Sequence, residues 1–201
     1  PHSLIVNDRD ELFIFGTTGS SDYPTSENAF NRNFSGGSTT GLLSGIFINY
    51  INGSDIVLSR LSADGSSMLA STYVGGSFND GLNGNISANY ADEFRGEIIL
   101  DEFQNVVVGT STFSSDFPVT ANAHKTSIGG LQDGVVFKLD ESLSSMIWSS
   151  YFGGQNNDAI YSLIKSNSND FYIAGGTMSM DLNFPIESFQ SNYQGGSTDG
   201  F

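Results

Sequence analysis

Cysteine is absent from this chain of 201 residues, which excludes disulfides, thiolate metal sites and thiol nucleophiles. Cations are scarce: seven Lys and Arg stand against 22 Asp and Glu, for a net charge of −15. Nucleic-acid phosphates need clustered cations and anionic membrane surfaces need basic segments, so neither is an expected partner. No apolar run approaches the roughly 20 residues of a membrane span, and no membrane insertion is expected. The opening Pro1 carries neither Met nor a signal-like segment, as expected of a processed product or a fragment. What the chain does have is 24 Gly, abundant Ser, Asn and Asp, and 38% hydrophobic residues with 12% aromatics. That mixture suits a packed core of short strands joined by tight turns.

The strongest pattern is internal. "STYVGGSFND" at 71–80 returns as "SSYFGGQNND" at 149–158. "FGTTGSSDYP", "VGTSTFSSDFP" and "GGTMSMDLNFP" end at Pro24, Pro118 and Pro185, and each is followed by a Gly pair. Each pair leads to an Asp that opens an apolar run or its start, at Asp55, Asp133 and Asp199. Gly16 to Gly109 spans 93 residues and Gly109 to Gly176 spans 67. Removing insertions of about 15 residues (40–54) and about 11 residues (near 82–94) brings the first interval to the same period. A unit copied at a fixed period is one that cannot bury its apolar surface alone.

Within one period the turn signals predict four strands, at 96–101, 105–112, 134–140 and 145–152 in the second copy. Solid apolar runs such as Val106-Val107-Val108 imply burial on both faces, as in stacked sheets. A four-stranded antiparallel unit repeated with short turns predicts an all-β chain of β-propeller blades. The blades are expected over 1–76, 77–154 and, incomplete, 155–201, an arc of about 2.6 blades of a larger propeller. Gly75, Gly76, Gly153 and Gly154, Asp55, Asp133 and Asp199, and Pro24, Pro118 and Pro185 then read as packing and turn punctuation.

The set Ser71, Tyr73, Gly75, Gly76, Asp80, Gly109, Asp116, Phe117, Pro118, Gly129, Gly130, Asp133, Phe137, Lys138 and Leu139 resembles the bacterial seven-bladed β-propeller repeat family (SBBP repeats). The chain departs from that pattern at the two insertions and at Asn183, which stands where an Asp is usual. The resemblance implies a large exported bacterial surface protein. Its composition is similar to surface proteins of gliding bacteria that use type IX secretion.

Catalytic signals are sparse. His2 and His124 are the only histidines and occupy non-equivalent positions, His124 replacing a Phe of the first copy. No G-x-S-x-G, H-E-x-x-H or P-loop occurs. A carboxylate repeated once per blade reads as a turn or strand cap, and no enzyme activity is expected. The acidic turns "NDRDE" (7–11) and "NSND" (167–170) lack full calcium-loop spacing. No cofactor is expected, with calcium at one turn as the alternative.

The insertions are the informative departures. Leu42, Leu43, Ile46, Phe47, Tyr50 and Ile51 follow one helical face, although Gly41 and Gly45 weaken a helix by roughly 1 kcal/mol each and leave a hairpin open. These six either fold back on their own blade or dock on a protein partner. The second insertion reads as a polar surface loop, with Asn85, Tyr90 and Asp92 as candidate glycan contacts. The expected function is a non-catalytic, exported surface module that binds protein or extracellular polysaccharide. A propeller glycosidase or lyase using acidic loop residues, and a spacer without ligand, remain alternatives.

Overall fold

The computed structural model describes residues 1–42, 48–86, 92–182 and 184–201. In chain order the strands are β1 (Ser3–Val6), β2 (Leu12–Thr18), β3 (Thr40–Leu42), β4 (Ile48–Tyr50), β5 (Asp55–Leu61), β6 (Met68–Val74), β7 (Glu97–Leu100), β8 (Val106–Thr112), β9 (Asp133–Leu139), β10 (Met146–Phe152), β11 (Asp158–Lys165), β12 (Phe171–Thr177) and β13 (Asp199–Gly200). They form an all-β fold of antiparallel sheets: β1-β2-β5-β6, β7-β8-β9-β10 and β11-β12-β13, with β3-β4 as a separate hairpin. Strand order follows chain order in each sheet, with short turns after the first and third strands and a long loop between the second and third. Among the described residues no closed barrel or closed ring of sheets occurs.

The turns show why the chain doubles back where it does. Asn7 Oδ1 accepts from the Arg9 and Glu11 N–H groups, Asp101 Oδ1 from those of Phe103 and Asn105, and Ser166 Oγ from those of Ser168 and Asp170. Three copies of one side-chain-capped turn thus join the first two strands of each sheet.

Side-chain alternation sorts the core into two layers. Phe13, Phe15, Ile56 and Leu58 of the first sheet pack with Val106, Val108, Val135, Phe137 and Leu139 of the second. Val107 and Val136, on the opposite face of the second sheet, pack with Ile160 and Leu163 of the third. The middle sheet is therefore covered on both sides, and every residue of Val106–Thr112 is buried.

The repeating register is set by threonine rather than by the glycine used to align the copies. Thr18, Thr112 and Thr177 pair with Asp55, Asp133 and Asp199. Gly16, Gly109 and Gly176 pair instead with Val57, Val136 and Gly200, three different distances from that aspartate. The reason is a polar turn: each threonine Oγ1 accepts from the N–H two residues on, at Ser20, Ser114 and Ser179 (3.1, 2.9 and 2.8 Å). Glycine only tolerates the close packing, so its position can drift by a residue.

Candidate functional site

The recurring carboxylates tie loops and repeats together. Asp55 accepts from the N–H groups of Ser35 (2.6 Å) and Gly36 (3.0 Å), and Asp133 from those of Gly129 (2.9 Å) and Gly130 (3.1 Å). Asp199 accepts from Gln194 N–H (2.7 Å) and the Gln190 amide (3.1 Å). In the second copy the Lys125 ammonium adds a charge-assisted bond to Asp133 (2.9 Å). Each aspartate closes the loop that contains a Gly pair.

Asp80 and Asp158 form a second set that crosses between repeats. Asp80 accepts from Gly76 N–H (2.8 Å) at the end of the preceding copy and from Thr112 Oγ1 and Ser114 Oγ (2.9 Å) of its own. Asp158 accepts from Gly154 N–H and Ser179 Oγ, each at 2.7 Å. A Cβ on Gly75 would lie 2.7 Å from Asp80 Oδ2 and 2.9 Å from Asp55 Oδ1, and one on Gly153 would lie 2.6 Å from Asp158 Oδ2. The first glycine of each doublet therefore admits a carboxylate pair against the backbone. Burial, reinforced by Asp55, pushes the Asp80 carboxyl up to about 8 despite its three donors. Burial likewise raises Asp55 to about 6 and raises Asp158.

Pro24 and Pro118 follow aromatic residues that pin a buried tyrosine. Tyr73 OH donates to Ser20 C=O (2.8 Å) and accepts from Tyr23 N–H (3.0 Å). Tyr151 OH donates to Ser114 C=O (2.7 Å) and accepts from Phe117 N–H (3.0 Å). Pro185 follows Phe184 in the third copy and accepts a turn bond from Ser188 N–H (2.9 Å). Asn183, expected to replace the recurring Asp, lies outside the described residues. Asp181 takes that part instead: it accepts from Gln155 N–H (3.0 Å) as Asp116 does from Ser77 N–H (2.8 Å). Two extra residues between Asp181 and Phe184 hid the match.

Of the six apolar residues of the first insertion, Leu43, Ile46 and Phe47 lie outside the described residues. The ends of the segment pair as a hairpin, Thr40 with Tyr50 and Leu42 with Ile48, in place of the helical face that the spacing also allowed. Tyr50 is half-buried, its ring 2.9 Å from where a Gly19 Cβ would be, whereas Ile51 stands in solvent. Of the six, only the Tyr50 and Ile51 side chains are among those described, and they differ in burial.

The second insertion corrects the expectation of a plain surface loop. Its start is core: Leu82, Asn83 and Ile86 are buried. Gln132 donates to Asn83 Oδ1 (2.7 Å) and to Asp158 C=O (3.2 Å), and its Oε1 accepts from Gly84 and Asn85 N–H (2.9 and 3.0 Å). Tyr161 OH donates to Ile86 C=O (2.9 Å). The Asn85 side chain is exposed, Asp92 begins a single 3-10 turn, and Tyr90 lies outside the described residues. Asn83 and Gln132 were not singled out from sequence, because an Asn–Gln pair has no periodic signature.

His2 packs edge-on against Phe15 and Phe94, and burial lowers its pKa to about 4. His124 is exposed. Among the described residues no group of three or more His, Asp or Glu side chains is placed to hold a metal ion.

Two surfaces stand out as open. Leu4 and Val6 on the rear of the first sheet are 56% and 54% exposed, whereas Ile98, which pairs in the second sheet as Leu4 does in the first, is 2% exposed. On the forward face of the third sheet Ile164 and Tyr172 are 65% and 60% exposed, whereas Phe13 and Val107, the counterparts of Tyr172, are buried. No family model matches the chain, and no curated protein matches it.

Proposed function

We propose that this chain forms successive blades of a β-propeller that binds protein partners without catalysis, working, as its repeat resemblance implies, at a bacterial cell surface. The observation that carries this reading is the pair of open apolar faces. They lie at the two ends of a stack whose inner interfaces use the same strand positions. A sheet face shaped to be covered accepts another such sheet, of the same polypeptide or of another. A rear face meeting a forward face is a heterologous contact, which closes into a ring or extends by addition. The recurring carboxylates support binding over chemistry, because they are occupied by backbone N–H groups and hydroxyls at equivalent positions in each copy. Apolar character favours protein over polysaccharide as the occupant.

Sedimentation equilibrium tests this. The chain is expected to show an average mass that rises with concentration, and Ile164→Glu/Tyr172→Glu is expected to abolish the rise. Because both side chains are exposed, the variant's stability should stay within about 0.5 kcal/mol of the parent. A parent that remains monomeric, or a variant that unfolds several degrees lower, contradicts the reading.

A further inference from the structure

We infer that the groove between the second and third sheets, formed by Leu131, Gln155–Asn157 and Met178, is a binding site for a neutral saccharide. The same framework occurs at both junctions between sheets. Ser54 N–H and Gln132 N–H donate to Asn79 Oδ1 and Asn157 Oδ1 (3.2 Å each). Phe113 N–H and Met178 N–H donate to Asn79 C=O and Asn157 C=O (2.9 Å each). A Cβ on Gly37 would lie 2.7 Å from Asn79 N, and one on Gly130 would lie 3.0 Å from Asn157 N. The two junctions therefore correspond residue by residue.

At the first junction the base of the inserted hairpin crosses this framework. Gly37 N–H donates to Asn52 C=O (2.8 Å), and a Cβ on Gly53 would lie 2.1 Å from Gly37 N. The second copy lacks that insertion, and Gly130 runs straight into Leu131 and Gln132. In place of the hairpin base there is a cavity of about 340 Å³, lined by Gly130, Leu131, Gln155, Asn156, Asn157 and Met178. That volume falls at the lower end of small-ligand sites, roughly 300–1,000 Å³.

The lining presents a row of carboxamides from a fixed backbone. Gln155 N–H donates to Asp181 Oδ1 (3.0 Å) and Asn156 N–H to Ser179 Oγ (2.9 Å). Both side chains are exposed, and no described residue bonds their carboxamides. The Asn157 NH2 group meets the Met178 thioether at 3.9 Å, a weak acceptor that leaves its donors largely unused. A carboxamide donates and accepts at once, as does a sugar hydroxyl. Leu131, which is 77% exposed, and Met178 add the apolar surface that the C–H face of a sugar ring needs. Among the described residues no Asp, Glu, Lys or Arg lines the cavity, although the chain carries a net charge of −15. The charges beside it are committed, Lys125 to Asp133 (2.9 Å) and Asp181 to Gln155 N–H. An anionic sugar would meet the repulsion of the whole protein with no cation to receive it, so the ligand is neutral. The groove is separate from the open sheet faces, and the docking reading of those faces can fail without it, and the reverse.

Amide NMR of the intact chain, titrated with maltotriose, cellotriose and tri-N-acetylchitotriose, tests this. At least one of these neutral probes is expected to shift, saturably, the Gly130 and Leu131 amides and the side-chain NH2 signals of Gln155, Asn156 and Asn157. Trigalacturonate should bind at least about 10-fold more weakly than that probe. The double variant Gln155→Ala/Asn156→Ala should also bind about 10-fold more weakly through loss of its hydrogen bonds. Unchanged Val106–Thr112 amide signals would show that this variant keeps its fold. No shift with any of the three probes, shifts confined to other residues, or undiminished binding by the double variant overturns the inference. So does equal binding of trigalacturonate. Shifts with a capped Gly-Asn-Gly peptide but with no saccharide would assign the groove to polypeptide instead, and also overturn it.

Discussion

Tyr151→Ala is expected to destabilise the chain by about 3–5 kcal/mol, and Tyr151→Phe by about 1–3 kcal/mol. Tyr151 is fully buried in the first core layer and lies 6.4 Å, ring to ring, from Phe117. Truncation to alanine removes that packing and leaves a cavity between two sheets and a loop. Truncation to phenylalanine keeps the ring but leaves Phe117 N–H and Ser114 C=O only their long mutual bond (3.4 Å), without the hydroxyl that connects both to the strand. Burial also pushes this phenol up to about 12, consistent with a neutral hydroxyl serving as both donor and acceptor. Urea unfolding at fixed pH measures both values through the shift in midpoint at unchanged slope. An alanine variant within about 0.5 kcal/mol of the parent would mean that the aromatic-Pro loop is not anchored by the fourth strand.

The second large effect is a pH dependence opposite to that of most carboxylate-rich proteins. The folded chain holds the Asp80 proton at pH values where the unfolded chain has released it, because the folded-state value lies near 8. The stability this contributes is complete below the ordinary carboxylate range and is lost as pH rises toward about 8, at up to about 1.4 kcal/mol per pH unit. Asp55, raised to about 6, acts in the same direction over the lower part of that window. Asp64 and Glu11, held down to about 2 by hydrogen bonds, act only at lower pH. Stability measured by urea unfolding should therefore fall between pH 5 and pH 8. Asp80→Asn keeps an acceptor oxygen but cannot ionise, so it should flatten that fall. A parent whose stability rises over this window would show that the three donors to Asp80 outweigh its burial.

The repeat was legible because each copy must solve the same burial problem with the same residues. Asp55, Asp133 and Asp199, the Gly doublets and the Val106–Val108 run all recur or stand out without reference to three dimensions. The strand predicted at 105–112 is Val106–Thr112, and its counterparts Leu12–Thr18 and Phe171–Thr177 occupy the same place in their sheets. Legibility failed where a residue acts through one partner rather than through a pattern. Gln132 fills the place where the first copy has Ser54, which donates to Asp80 C=O (3.1 Å) as Gln132 does to Asp158 C=O. Two unlike side chains make one bond, so no shared letter betrays it. Leu82 and Ile86 were hidden because two buried apolar residues in a polar segment carry no period. The glycine alignment misled because a missing side chain permits a contact without fixing its register, whereas the threonine hydroxyl fixes it.

Native-state amide hydrogen exchange tests the stacked-sheet account most directly. The three sheets share a topology but differ in covering: the middle one is shielded on both faces, and the outer ones are open on one. The account predicts that amides of β8 exchange slowest and that those of β12 and β1 exchange faster by at least about 10-fold, a difference of about 1.4 kcal/mol in opening free energy. Equal protection of β8 and β12 would contradict it, since mutual covering would then not be what holds these sheets.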